Sequence, residues 1–365
     1  MPNPLSPPVK EMLARGVRER VFPGGVLALF QDGELYLEAF GWQEYLPRPC
    51  RAEIDTYYDL ASLTKPLATT LCLMRLVAEG KIALDDTLAR FFLVPYWLAP
   101  ITLAQLLSHQ AGLVPHRPYF ARLITYPFEE RKKLIITWIL KEPLAYPPGL
   151  KTRYSDLGFI LLGEIIRQVS GQELDTYFAE TLRLLGSNPK DLLFTPKKHS
   201  LPVDKIAATE FCPWRGKLIK GEVHDENAWV LGGVAGHAGL FGHAQGVLAL
   251  LIKLLLAYHG EEEKGFLTRE VVRTFWDWGQ EGDRALGFDR PSGESSSAGR
   301  FFSKKALGHL GFTGPSFWLE PEKRFIVVLL TNRVHPCREP NKLKAFRPAL
   351  HDLLFKELGL LAVKN

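Results

Sequence analysis

The chain has 365 residues, a formal net charge of +5, 46% hydrophobic residues and 23% charged residues. That balance is ordinary for a globular protein, and a chain of this length buries enough apolar surface to fold without covalent staples. Its basic residues fall in short, scattered groups such as Arg131-Lys132-Lys133 and Lys197-Lys198, so no nucleic-acid stripe is expected, and Cys50, Cys72, Cys212 and Cys337 form no CxxC pair, which argues against a disulfide framework.

The opening MPNPLSPPVKEML lacks a basic stretch followed by an apolar one, so no secretory signal is expected. The chain as it stands suits the cytoplasm, and a trimmed export signal would read the same way. After Pro8 a short helix leads to Pro23-Gly24-Gly25. Asp32-Gly33, between apolar runs 26–30 and 35–41, predicts a hairpin. Residues 62–80 are apolar nearly all round and read as one buried helix stopped by Gly80. Within that run Cys72 reads as a buried thiol. Thr102 reads as the N-cap of a helix over 103–109, with further helices over 155–171 and 174–185. The greasy run 247–258 is broken by Lys253 and falls short of the about 20 residues a membrane span needs, so no span is expected. The stretch PSGESSSAG, residues 291–299, reads as a loose surface loop. A second hairpin pairs 316–320 with 324–331 across Pro321-Glu322-Lys323, and a helix over 348–358 follows.

Strands at both ends with helices between them predict an α+β fold. An antiparallel sheet built from both termini (about 1–60 and 285–365), flanked by helices, carries a large, mostly helical inserted lobe (about 61–284). The sequence specifies no oligomeric state.

Three short motifs carry chemistry. In Ser62-Leu63-Thr64-Lys65 the serine and lysine are one helical turn apart and share a face. A serine hydroxyl needs a neighbour to take its proton, and a lysine in a dry pocket can be that neighbour. Read alone, the pair fits equally an N-cap serine with a snorkelling lysine. Ser187-Asn188-Pro189-Lys190 repeats the spacing, but its proline and polar setting read as a turn. Tyr154-Ser155-Asp156 offers a phenol and a carboxylate at a helix start, where a plain cap is the alternative. Gly308-His309-Leu310-Gly311-Phe312-Thr313-Gly314 precedes the second hairpin, and its glycines would let a ligand approach strand backbone.

Taken together and in this order, the motifs resemble the serine β-lactamase and penicillin-binding-protein superfamily, in particular its class C-like branch with esterases and D-amino-acid peptidases. The resemblance runs from about Phe22 to Pro336 and also rests on Leu106-Leu107-Ser108-His109-Gln110-Ala111-Gly112-Leu113 and Leu329-Leu330-Thr331-Asn332-Arg333. The block His224-Asp225-Glu226-Asn227-Ala228, with Gly236-His237-Ala238-Gly239-Leu240-Phe241, is similar to a sub-branch labelled low-molecular-weight penicillin-binding proteins. The resemblance implies one β-lactamase-like catalytic domain over residues 1–365, needing no cofactor or metal. It implies Ser62 as the acylated nucleophile, Lys65 as proton acceptor and Tyr154 as proton shuttle to the leaving group. Asp156, His309, Gly311 and Phe312 would face the substrate, with the backbone N–H groups of Ser62 and Phe312 as oxyanion hole.

Two positions depart from the family pattern. Asp156 stands where Asn is usual, and His309-Leu310-Gly311 replaces Lys-Thr-Gly or His-Thr-Gly. A neutral His and a Leu would hold a substrate carboxylate poorly, and Asp156 would repel one. The expected substrate is therefore a small ester, amide or peptide, with an esterase or small-amide hydrolase favoured over a true β-lactamase or a D-alanyl-D-alanine carboxypeptidase. A carboxylate beside Lys65 would also favour its ammonium form and leave Tyr154 as the base. Two rivals remain: a non-catalytic binder of peptide or cell-wall fragments, and a metal hydrolase using His224, Asp225, His237 and His243, whose spacing fits no helical ligand pair.

Overall fold

Two hairpins from opposite ends of the chain meet in one sheet. The computed structural model describes residues 5–279, 282–293 and 296–361. Strand Gly24–Gln31 pairs with Glu34–Glu44 in register Gly24↔Gly41 to Gln31↔Glu34. Asp32 and Gly33 both have positive φ, the combination a two-residue turn matching strand twist requires. On its other edge Gly24–Gln31 pairs with Phe325–Thr331, Gly25 opposite Thr331. The six-stranded antiparallel order is Cys50–Arg51, Glu34–Glu44, Gly24–Gln31, Phe325–Thr331, Ser316–Glu320, Leu307–Leu310.

The sheet is apolar on both faces, and side-chain alternation sorts residues between two cores. Val26, Ala28, Ile326, Val328 and Leu330 point into a large core shared with the inserted segment. Leu27, Leu29, Phe325, Val327 and Leu329 point the other way, onto helices Pro7–Arg18 and Leu343–Glu357. Each of these Val, Leu, Ile and Phe side chains contributes on the order of 1.5–3 kcal/mol when fully buried.

The inserted segment brings helices Leu71–Ala78, Asp156–Ser170, Leu174–Leu184 and Ala244–His259 to the inner core. It is less uniformly helical than the sequence suggests. Tyr58–Asp59, Leu240–Gly242 and Leu192–Phe194 form a small sheet, and Ala208–Cys212 pairs with Lys217–Lys220. The first of these ties the chain just before Ser62 to a strand nearly two hundred residues later.

Four expectations need correction. Residues 62–80 do not form one α-helix: a 3-10 turn Ala61–Leu63 leads into a π-helical turn Lys65–Thr70 and then Leu71–Ala78. Pro66 falls in the first turn of the π-helical stretch, where its missing N–H is tolerated. Gly80, at φ +65°, does end the run. Thr102 caps through a complete capping box with Gln105, but the helix stops at Leu107 because the backbone turns to positive φ at His109. The last helix starts at Leu343 rather than at Pro348, which lies inside it. Of the 291–299 stretch, Glu294 and Ser295 lie outside the described residues; Ser296 and Ala298 are buried, and the Ala298 carbonyl meets His351 Nδ1 at 3.1 Å. All four cysteines are free thiols, and burial pushes that of Cys72 up to about 12.

Candidate active site

Ser62 sits on a tight turn whose shape is held from both sides. Ala61 takes a positive φ of 48°, a strained conformation for a residue with a Cβ, and presents the serine that follows. The buried Asp59 carboxylate holds the turn: Oδ1 accepts from the Ala61 N–H at 2.9 Å and Oδ2 from the His224 N–H at 2.6 Å. Thr64 Oγ1 donates to the Ala61 carbonyl at 2.6 Å and accepts from the Leu240 N–H at 3.1 Å.

The irregular turn that follows places Lys65 wholly inside the protein. Its Nζ lies 3.0 Å from Ser62 Oγ, 3.0 Å from the His237 carbonyl oxygen and 2.8 Å from Asp156 Oδ1. Burial pulls the Lys65 ammonium below its ordinary pKa, and the Asp156 carboxylate opposes that pull without cancelling it. Burial works against the charge of Asp156 too, but Lys65 on one side and His116 on the other (Nδ1 at 3.6 Å) hold it ionised, well below the usual carboxylate range. The Asp156 carboxylate beside it in turn raises His116.

Tyr154 comes from the loop before helix Asp156–Ser170, and its phenol donates to Ser62 Oγ at 2.7 Å. His109 fixes that loop. Its carbonyl accepts from the Arg153 N–H at 3.0 Å, its Nδ1 accepts from the Ser155 N–H at 3.1 Å, and its ring lies against the phenol with centroids 4.7 Å apart. Burial holds His109 neutral, so Nδ1 is free to accept. Burial, and then the Asp156 charge, push Tyr154 well above an ordinary phenol. Both effects favour the neutral phenol, whose hydroxyl donates to Ser62 Oγ. Asp156 thus disfavours the phenolate as well as favouring the ammonium, which weakens the ground for expecting Tyr154 as the base.

Strand Leu307–Leu310 and the turn after it form the opposite wall. A Cβ on Gly311 would lie 2.8 Å from the Leu60 carbonyl oxygen and 3.3 Å from Ala61 Cβ, so only glycine lets the strand end close on the serine turn. Thr313 Oγ1 donates to the Asp59 carbonyl at 2.8 Å and locks the two together. His309 is buried, with Nδ1 2.9 Å from the Leu310 carbonyl oxygen, and burial keeps it neutral. Phe312 is half exposed at the rim, stacked on His224 with centroids 5.5 Å apart.

These walls enclose a cleft of about 650 Å³ that Ser62, Tyr154, Asp156, His309, Gly311 and Phe312 all line. The seven residues singled out in the sequence thus converge, Lys65 lying beneath the cleft floor. Ser187 and Lys190 do not join them: Asn188 Oδ1 accepts from the Lys190 N–H at 3.1 Å in a surface turn. Nor do the four candidate metal ligands converge. His237 Nε2 meets Asp225 at 2.9 Å, His243 meets Asp191 at 3.4 Å and His224 meets Glu210 at 3.3 Å. Among the described residues, one group has metal-compatible spacing, Glu210, Cys212 and Glu226, and Arg338 reaches both of its carboxylates.

The sequence did not single out Asp59, His116, Arg333 or Arg347. His116, Arg333 and Arg347 line the cleft, and Asp59 braces its floor. None belongs to a spacing pattern, since each reaches the site from a separate segment. Arg333 closes the quoted Leu329-Leu330-Thr331-Asn332-Arg333 stretch and His116 follows shortly after the quoted stretch ending at Leu113, and those places were the available signal.

The chain matches the family described as Beta-lactamase over residues 9–349. It is 31% identical over 357 residues to a protein of Escherichia coli strain K12 described as "Putative D-alanyl-D-alanine carboxypeptidase", covering 88% of this chain and 81% of that one. It is 31% identical over 369 residues to "N-acetylmuramyl-L-alanine amidase" of Bacillus subtilis strain 168, covering 92% and 82%. In three dimensions it resembles a class C beta lactamase from Rhodobacter sphaeroides, with TM-score 0.70 at 18% identity over 97% of this chain and 100% of that one. No helix among the described residues is long and apolar enough to cross a membrane.

Proposed function

Because this chain belongs to the Beta-lactamase family, we propose that it is a serine hydrolase that cleaves a small ester or amide through an acyl-enzyme on Ser62. One observation carries the reading: Ser62 Oγ, on the floor of an open cleft, has an amine at 3.0 Å and a phenol at 2.7 Å. Lys65, lowered by burial, takes the hydroxyl proton as Oγ attacks the substrate carbonyl carbon. The developing oxyanion is received by the backbone N–H groups of Ser62 and Phe312. The tetrahedral intermediate collapses, the Tyr154 phenol gives its proton to the leaving group, and the proton held by Lys65 restores the phenol. Water then attacks the acyl carbonyl, its proton passing to the same amine–phenol pair, and Ser62 is regenerated.

The intact mass of the protein after incubation with a p-nitrophenyl ester, a penicillin and a D-Ala-D-Ala peptide tests this. The expected result is an acyl adduct from the ester that Ser62→Ala abolishes. An unlabelled wild-type protein, or an adduct that persists in Ser62→Ala, removes the proposal. A carboxypeptidase reading is favoured by the E. coli relative's description. It predicts release of D-alanine from the peptide arm of the same experiment.

A further inference from the structure

One carboxylate serves two cations through its two oxygens. Asp156 Oδ1 lies 2.8 Å from Lys65 Nζ in the protein interior, and Oδ2 lies 3.6 Å from Nδ1 of His116, which lines the cleft. The imidazole is placed there by the chain on either side of it. Before it, the Val114 carbonyl accepts from Ser155 Oγ at 2.7 Å and the Pro115 carbonyl from the Asp156 N–H at 2.9 Å. After it, the wholly buried Asn227 grips the chain twice: Nδ2 donates to the Arg117 carbonyl at 2.8 Å and Oδ1 accepts from the Phe120 N–H at 2.8 Å. Asn227 belongs to the His224–Ala228 block, which the catalytic steps leave unused.

The charges that act on His116 are acidic. Asp156 on helix Asp156–Ser170 is foremost, with Asp225 and Glu226 at the start of helix Glu226–Val230. Asp225 is itself engaged by His237 and Glu226 by Arg338, and the chain neighbour Arg117 is turned to Glu142 at 3.1 Å. These acids raise His116 above an ordinary imidazole, so it keeps its positive charge further toward neutral pH. A carboxylate shared between two cations holds each less firmly than it would hold one. With Lys65 as its single partner, Asp156 would favour the ammonium more strongly. A protonated His116 draws on the same negative charge and eases that hold.

We propose that His116 is a positioning residue for the reaction: acting through Asp156, it sets how firmly Lys65 is held in its charged, unreactive form. This rests on the proposed acyl-enzyme function and deepens it. His116 thereby offsets the acid that stands at position 156, where the family pattern has asparagine and no charge to offset.

Histidine Cε1–H resonances followed by NMR against pH read the coupling without turnover, the His116 signal being the one that His116→Gln removes. Lys65→Met should raise the His116 pKa by about half a unit or more, because Asp156 then has one cation to hold, and Asp156→Asn should lower it by about as much. On a p-nitrophenyl ester, His116→Gln should move the acid limb of kcat/KM up by about half a unit or more, opposite in sign to Asp156→Asn. Added to Asp156→Asn, the same substitution should move the limb by less than half as far. A His116 pKa that ignores both substitutions overturns the proposal. So does an acid limb that His116→Gln leaves in place or moves down, or an undiminished shift in the double variant. Should Lys65→Met fail to fold, the resonance in Asp156→Asn decides. Turnover with an uncoupled titration removes this proposal alone, whereas a coupled titration without turnover removes the acyl-enzyme function and with it the reaction that His116 serves.

Discussion

The carboxylate of Asp156 lies 2.8 Å from Lys65 Nζ, inside a pocket where Lys65 has no contact with solvent. The charge state of Lys65 is therefore set by two opposed effects. Burial favours the neutral amine, which is reactive, and Asp156 favours the ammonium, which is not.

Replacing Asp156 with Asn removes the opposing charge and should lower the Lys65 pKa further. Activity that needs the neutral amine rises with pH through that pKa. The acid limb of the kcat/KM profile should move to lower pH by about one unit or more, as expected when a charge within 4–6 Å is lost. A pH–rate profile of Asp156→Asn on a p-nitrophenyl ester checks this. An unmoved limb, or one displaced upward, contradicts Lys65 as the base.

Tyr154→Phe keeps the ring against His109 but deletes the proton donor to Ser62. The expected loss in kcat is about 100-fold or more, the usual contribution of a positioned acid or base, with little change in thermal stability. The loss should be smaller for p-nitrophenol than for an alkoxide leaving group, because a stable leaving anion needs less protonation. Steady-state kinetics on a matched pair of esters reads that difference.

Gly311→Ala places a methyl 2.8 Å from the Leu60 carbonyl oxygen, so the strand end and the serine turn must separate. Overpacking of this kind costs about 1–3 kcal/mol. A lowered melting temperature and slower acylation should appear together. A variant with wild-type acylation would show that the close approach is not needed for the oxyanion site.

Glu210 is buried, and although burial opposes its charge, Arg338 and His224 hold its pKa down to about 2. Its unfolded-state value is about 4.3. A depressed acid contributes stability that is present above the unfolded value and fades as pH falls toward the folded one. Arg338 is partly exposed, so solvent screening reduces the contribution to about 2 kcal/mol. Arg338→Gln should therefore destabilise the protein at pH 7 by about that amount and flatten the loss of stability between about pH 4 and pH 2. Urea unfolding across that range measures both.

Much of the fold and the chemistry was legible before any coordinates, because it depends on near neighbours in the chain. Asp32-Gly33 makes its hairpin by its own φ preferences, and Thr102 finds Gln105 three residues on. The Ser62–Lys65 spacing was equally plain, although a π-helical turn over Lys65–Thr70 stands where a regular helix was expected. What could not be read was the charge state of that pair. It depends on groups that arrive from far away: the His237 carbonyl, 172 residues on, accepts from Lys65 Nζ, and Tyr154 comes 92 residues after Ser62. Carbonyls occur at every residue and carry no signature, and a lone Asp59 or Arg347 belongs to no periodic pattern. The sequence by itself determined which side chains could react and which strands would pair. Only the tertiary structure decided that Lys65 is dry and that Asp156 is already paired, because desolvation and Coulomb interactions act through space rather than along the chain.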